Sequence, residues 1–174
     1  EEFRKLFRND PEVIIPTVYA NYSTAAVLTM DYIEGQNYQD FKAASSQSEK
    51  NRAAVIMWRM AAESINKYCL YNADPHPGNY IFVDGKVAFI DFGFTRRFSP
   101  RFMNLWKEQS LAGCANDFRK FVEINKQLGY EVPGKVFNHR ALFDLYRGLI
   151  YDAWREDRPF TFTKDFVDQE IRAL

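Results

Sequence analysis

The chain has 174 residues, a length that fits one domain and can bury a sizeable core. Lys plus Arg equals Asp plus Glu at 23 each, so no net field argues for nucleic acid or an anionic membrane surface. Aromatic residues make up 17%, which indicates a packed interior, and no run of about 18 apolar residues is present to span a bilayer.

In chain order, residues 13–19 and 25–33 read as two strands joined through Asn21, Tyr22, Ser23 and Thr24. Glu34, Gly35, Gln36 and Asn37 break that pattern, and a short helix follows over Tyr38 to Ala44. A polar connector offers an N-cap at Ser46 or Ser48. A long helix over residues 49–70 is then predicted, with Val55, Trp58, Ala62, Ile65 and Cys69 as its buried stripe. Cys69 and Cys114 fit no metal or redox spacing; they read as small buried apolar residues of a reducing compartment.

The next segment carries the chemistry. Asn72-Ala73-Asp74-Pro75-His76-Pro77-Gly78-Asn79 is followed by two β-rich runs, residues 80–83 and 86–90, separated by Asp84-Gly85. Asp-Gly between such runs predicts a two-residue hairpin turn. In that register Val83 faces Lys86 and Asn79 faces Ile90, so Asn79 and Asp91 reach the same open end. Their backbones are then roughly 5–8 Å apart. An amide oxygen and a carboxylate held there suit a hard cation such as Mg²⁺, further ligated by nucleotide phosphates. Asp74 and Asn79 keep a D-x-x-x-x-N spacing, and Asp91-Phe92-Gly93 spells the metal-binding signature of the protein-kinase superfamily. The alternative is an Asn/Asp-rich turn in an ordinary hairpin; motif order and spacing weigh against it.

Beyond Gly93 the chain reads as helical. Ser99-Pro100 caps a helix to Cys114, Asn116 or Asp117 caps another ending at Leu128-Gly129, and Pro133-Gly134 breaks the chain. Leu142, Leu145, Tyr146, Leu149, Ile150, Ala153 and Trp154 mark an amphipathic helix, and a last short helix is predicted over residues 164–174. Phe94 to Pro100 leads straight into a helix without the A-P-E of ordinary protein kinases, which disfavours a peptide substrate. There is no internal repeat or low-complexity tract.

The loop 74–79 together with residues 88–93 resembles the AarF/UbiB family of atypical protein-kinase-like proteins, which includes proteins supporting coenzyme Q synthesis. Residues 15–19 and 27–35 resemble that family's last N-lobe strands and hinge; residues 95–98 and 158–162 resemble its helical C-terminal region. The resemblance implies an α+β, protein-kinase-like fold, mainly the helical C-lobe with its catalytic hairpin. Residues 1–33 would be the remnant of the N-lobe and hinge, and residues 34–174 the C-lobe. The family's K-x-G-Q segment, alanine-rich loop and strand-borne lysine are not found, and residues 1–8 look like the end of the glutamate-bearing helix; Glu1 or Glu2 could be that glutamate, but the resemblance places it upstream of them. The expectation is a piece of a longer protein lacking most of an N-lobe, whose isolated activity is in question.

By resemblance, ATP and Mg²⁺ are the cofactors, with Asp91 and Asn79 on the metal and Asp74 as base toward a hydroxyl or water. Met30 would gate the adenine pocket, and the backbones of Asp31 and Ile33 would meet the adenine edge. His76 has two readings, a phosphate contact or, favoured, a loop histidine bonded to backbone. Arg96 and Arg97 could meet phosphate, but such a pair is more often a solvated face or a salt bridge. The function implied is an ATPase or phosphotransferase acting on a small molecule or lipid in isoprenoid-quinone or lipid metabolism, without nucleic acid. The setting would be a bacterial cytoplasm, mitochondrion or plastid, and the resemblance leaves membrane association of a full-length protein open. Two alternatives stay: a small-molecule kinase of the aminoglycoside or choline type, against which Asn72-Ala73 counts, and a non-catalytic binding platform.

Overall fold

The computed structural model describes residues 1–131, 133–134, 136–148, 161 and 163–164. They form two compact units, 1–98 and 99–174. The architecture is mixed α+β, with the small sheets in the first unit and, among the described residues, helices in the second. Among the described residues no helix is long and apolar enough to cross a membrane.

The first unit is built around the hairpin. Strands β3 (Tyr80–Val83) and β4 (Lys86–Phe89) pair antiparallel with Val83 opposite Lys86 and Tyr80 opposite Phe89. Asp84 and Gly85 turn the chain with φ of 45° and 75°, the left-handed pair that a tight hairpin requires. The expected register is therefore the observed one, and it continues one step further as Ile90 N–H donates to the Asn79 carbonyl at 3.1 Å.

The two strands expected over 13–19 and 25–33 are much reduced. Only β1 (Val13–Ile14) is regular, and it runs parallel to β4, not beside the second segment. Pro16 has no N–H to extend the ladder, and Thr17 spends its N–H on the Asp31 carboxylate at 2.9 Å. What joins the two segments is a single antiparallel bridge, Val18 to Met30, with flanking bonds from Tyr19 N–H to the Thr29 carbonyl and from Asp31 N–H to the Thr17 carbonyl. A turn of 3₁₀ helix, Ala20–Tyr22, occupies the bend.

Helix α1 spans Glu2–Leu6 and α2 spans Tyr38–Ala44, the latter capped by Asn37, whose side chain accepts from the N–H groups of Gln39 and Asp40. Helix α3 (Gln47–Tyr68) opens with a full capping box: Ser46 accepts from Glu49 N–H and the Glu49 carboxylate returns to Ser46 N–H. Its buried side is Ala53, Ile56, Met60 and Ser64, not the expected stripe; Val55 and Trp58 are 63% and 61% exposed within the described residues. Both rows repeat at 3- and 4-residue steps, so periodicity alone does not choose the phase. Cys69 is not in the helix but is its left-handed C-cap, and Leu70 begins a strand. Neither cysteine is fully buried: Cys69 is half-buried and Cys114 exposed.

A second sheet pairs β2 (Leu70–Asn72) antiparallel with β5 (Thr95–Arg97), with Asn72 opposite Thr95. The segment after Gly93 thus forms a short strand before the helix begins. The core of this unit gathers Phe3, Phe7, Val13, Ala53, Ile56, Met60, Leu70, Tyr80, Phe82, Val87 and Phe89. Phe41 from α2 stacks on Phe82 with centroids 3.9 Å apart. Gly35 allows Gln36 to pair with Phe82 through two backbone bonds, because a Cβ there would lie 2.7 Å from the Phe82 carbonyl oxygen.

In the second unit Ser99 caps α4 (Pro100–Cys114) and Asp117 caps α5 (Phe118–Leu128), which ends on Gly129 in the left-handed conformation. Asn138 caps α6 (His139–Tyr146). Its core is Ala112, Phe121, Ile124 and Phe143, with Phe121 and Phe143 edge to face at 5.1 Å. Phe143, which the expected stripe omits, is the fully buried residue of α6, while Leu142 and Tyr146 flank it. The expected continuation through Leu149, Ile150, Ala153 and Trp154, the segment 158–162 apart from Thr161, and the helix 164–174 apart from Lys164 lie outside the described residues.

Candidate active site

The loop between β2 and β3 is held from within. His76 accepts a bond from Gly78 N–H on its Nδ1 at 3.1 Å, and Asn79 N–H donates to the His76 carbonyl at 2.9 Å. A Cβ on Gly78 would stand 3.0 Å from that same Nδ1, so the ring occupies the space a side chain would need. His76 is thus bonded through Nδ1 to its own loop.

Asn79 Nδ2 donates to the Asp74 carboxylate at 3.0 Å and to the Asp74 carbonyl at 3.2 Å. With both donors' worth of bonding directed at Asp74, the Asn79 Oδ1 faces elsewhere as an acceptor. Asp74 keeps one carboxylate oxygen outside this pair. Tyr80, buried beside it, has its phenol pushed above the usual range, first by burial and further by the charges of Tyr71 and Asp74.

Asp91 lies one residue past Ile90, the partner of Asn79, at the open end of the hairpin. Its carboxylate is exposed, and its Oδ1 accepts from Gly93 N–H at 2.7 Å. Its carbonyl accepts from the Asn72 side-chain amide at 2.8 Å. Phe92 turns inward, with its ring 4.7 Å from that of Phe3 on α1. The sequence carries no signal for either contact: Asn72 opens the motif without a role of its own, and Phe3 lies 89 positions from Phe92 by subtraction.

Met30, Asp31 and Ile33 form a separate group. Asp31 accepts from the Tyr19 hydroxyl at 2.6 Å and from Thr17 N–H at 2.9 Å, and these bonds, Tyr19 first, hold its carboxyl below the usual range. Met30 is half-buried in its bridge to Val18. Among the described residues neither the Asp31 carbonyl nor the Ile33 N–H is bonded by the chain. No hydrogen bond joins these residues to Asp74, Asn79 or Asp91. A cleft of about 650 Å³ lies at the opposite, turn end of the hairpin, between Phe41, Arg52, Phe82 and Lys86, away from the motif.

Arg97 pairs with Glu2 and Arg96 lies 4.4 Å over the Phe94 ring, so both arginines are engaged within the chain. Glu1 accepts from Val18 N–H at 3.3 Å. Among the described residues no three His, Cys, Asp or Glu side chains gather into a metal cluster. Asn79 and Asp91 each carry hard oxygen atoms near the open end of the hairpin. Such oxygens fit a cation that takes its other ligands from phosphate and water.

Residues 1–125 match the sequence profile of the ABC1 atypical kinase-like domain. The chain is 30% identical over 154 residues to an uncharacterized chloroplastic aarF domain-containing protein kinase of Arabidopsis thaliana, covering 86% of this chain and 21% of that protein. It is 27% identical over 182 residues to the mitochondrial atypical kinase COQ8 of Saccharomyces cerevisiae, covering 99% of this chain and 35% of that one. The chain therefore spans between a fifth and about a third of the length of these relatives. A Mycobacterium tuberculosis structure, Rv3197 with erythromycin, superposes with a TM-score of 0.77 at 17% identity, over 97% of this chain and 42% of the other, which shows the kinase-like fold. The chain belongs to the ABC1 atypical kinase-like family, the AarF and COQ8 relatives among them.

Proposed function

We propose that the chain carries the catalytic half of a Mg²⁺-dependent ATPase or phosphotransferase, with Asp74, Asn79 and Asp91 as its working residues. The observation that carries this reading is the Asn79–Asp74 bond, which turns the Asn79 amide oxygen away from Asp74 near the end of the hairpin where Asp91 begins. Mg²⁺, when bound with nucleotide, would neutralise phosphate charge. Asn79 Oδ1 and the Asp91 carboxylate are the groups that would hold it. The free Asp74 oxygen accepts the proton of an attacking hydroxyl or water, while the bond from Asn79 keeps its carboxylate oriented.

Met30, Asp31 and Ile33 are assigned to the adenine side, where the unbonded Asp31 carbonyl and Ile33 N–H present an acceptor and a donor to a purine edge. In this reading residues 1–33 are the edge of an N-lobe and the hinge, and a small molecule or lipid is the phosphoryl acceptor. The names of the relatives place them in chloroplasts and mitochondria, and an isoprenoid-quinone or lipid pathway in such an organelle, or in a bacterial cell, is the setting proposed here. The test is Mg²⁺-dependent ATP turnover by the full-length protein beside Asp74→Asn. Turnover lost in the variant supports the reading; equal rates would remove Asp74 from the chemistry.

A further inference from the structure

Asn72 closes β2, and its backbone follows the ladder opposite Thr95. Its side chain leaves the ladder. Nδ2 donates to the carbonyl of Asp91 at 2.8 Å, across 19 residues of sequence. Next to it, Ala73 N–H donates to the Phe94 carbonyl at 3.1 Å. The chain entering the catalytic loop is therefore tied to Asp91 and Phe94, on either side of Phe92-Gly93.

The other half of the Asn72 amide makes asparagine a costly residue at this position. Oδ1 is buried and has no hydrogen-bond partner among the described residues. A buried amide oxygen without a donor is unfavourable, and folded chains rarely retain one. Leucine has the same branching and nearly the same size and would fill the position without that penalty. Departures from such local rules concentrate where function needs them.

We propose that Asn72 is a positioning residue for Asp91. Its N–H holds the Asp91 carbonyl, and Gly93 N–H holds the Asp91 carboxylate at 2.7 Å, so the residue is anchored at both its main chain and its side chain. One anchor is internal to the D-F-G turn, and Asn72 supplies the external one. Fixing the carbonyl restricts the peptide planes on which the Asp91 Cα–Cβ direction depends, and leaves the second carboxylate oxygen aimed outward. The catalytic consequence rests on the reading of Asp91 as a metal ligand; the clamp itself does not.

The test compares the full-length protein with Asn72→Leu and Asn72→His. Leucine removes the donor and the unpaired acceptor together. Histidine places a ring N–H on the same Cγ and can restore the donor. Three quantities are read: thermal unfolding midpoint, amide hydrogen exchange over residues 91–94, and the Mg²⁺ concentration giving half-maximal ATP binding.

For Asn72→Leu the midpoint is expected to hold or rise, while exchange over 91–94 and the Mg²⁺ requirement each rise about tenfold or more. Asn72→His is expected to recover most of both losses. Exchange over 91–94 staying within about twofold of wild type in Asn72→Leu would overturn the proposal. So would a fall in the unfolding midpoint with exchange raised throughout the protein, which would mark a merely structural residue. Wild type that binds no Mg²⁺ and ATP, with the exchange difference intact, would instead refute the functional reading and leave the clamp standing.

Discussion

The Asn79 side-chain amide reaches back across the loop to Asp74, donating to its carboxylate at 3.0 Å and its carbonyl at 3.2 Å. The loop is thereby closed by its own side chains, and the Asp74 carboxylate is held in one orientation. Asp74→Asn keeps an oxygen that can accept this bond, so the loop is expected to survive while the proton acceptor is lost. Turnover should fall by about 10²–10⁴-fold with ATP affinity changed little, the usual range for a general base. Steady-state hydrolysis beside calorimetric titration separates the two effects.

His76 gives a sharper choice between its two readings. The ring accepts from Gly78 N–H, a role that an asparagine oxygen can take over in a turn of the same span. Asn at position 76 is expected to retain most turnover, whereas His76→Ala, which leaves the Gly78 N–H without its partner, should lose about tenfold. A marked loss of ATP affinity in His76→Asn would instead indicate a phosphate contact.

Gly35 lies where the chain leading into α2 crosses the hairpin. A methyl there would meet the Phe82 carbonyl oxygen and the Val83 Cγ2 at 2.7 Å and the Ile81 Cγ2 at 2.8 Å. Backbone cannot yield as a flexible side chain does. Gly35→Ala is therefore expected to destabilise by about 1–3 kcal/mol, read as a lower urea midpoint with an unchanged slope.

Arg59 on α3 holds the loop after α1 by bonding both Asp10 and Glu12, and Arg52 adds a bond to Glu12 at 3.0 Å. The Arg59 guanidinium, more than the Glu12 N–H, keeps the Asp10 carboxyl below its ordinary value of 3.8. A depressed carboxyl contributes stability above that value and loses it as pH falls through the folded pKa. Asp10→Asn should be less stable than wild type at neutral pH, by about 1–2 kcal/mol. The gap should close below about pH 4. Denaturant midpoints at several pH values check both the size and the sign.

Local chemistry made much of this fold legible. Asp84-Gly85 set the hairpin register, and side-chain oxygens at Ser46, Ser99 and Asp117 marked three helix starts. What local chemistry could not reveal was pairing over distance. Strand β2 has three residues and finds its partner β5 only through the intervening hairpin, so neither carries enough pattern to stand out. The segments 13–19 and 25–33 have strand composition, but Pro16 and the Asp31 side chain divert the backbone bonds that would have made a ladder. On α3, two apolar rows compete and tertiary contact chose the other one. In the candidate site, the motif points to Asp74, Asn79 and Asp91, while the tie from Asn72 and the packing of Phe3 on Phe92 depend on folded geometry alone.

The most direct test of the central claim is calorimetric titration of the full-length protein with ATP, with and without Mg²⁺, beside Asp91→Ala. Binding is expected to require the metal and to be lost in the variant. Metal-independent binding, or binding undiminished in Asp91→Ala, would contradict the claim.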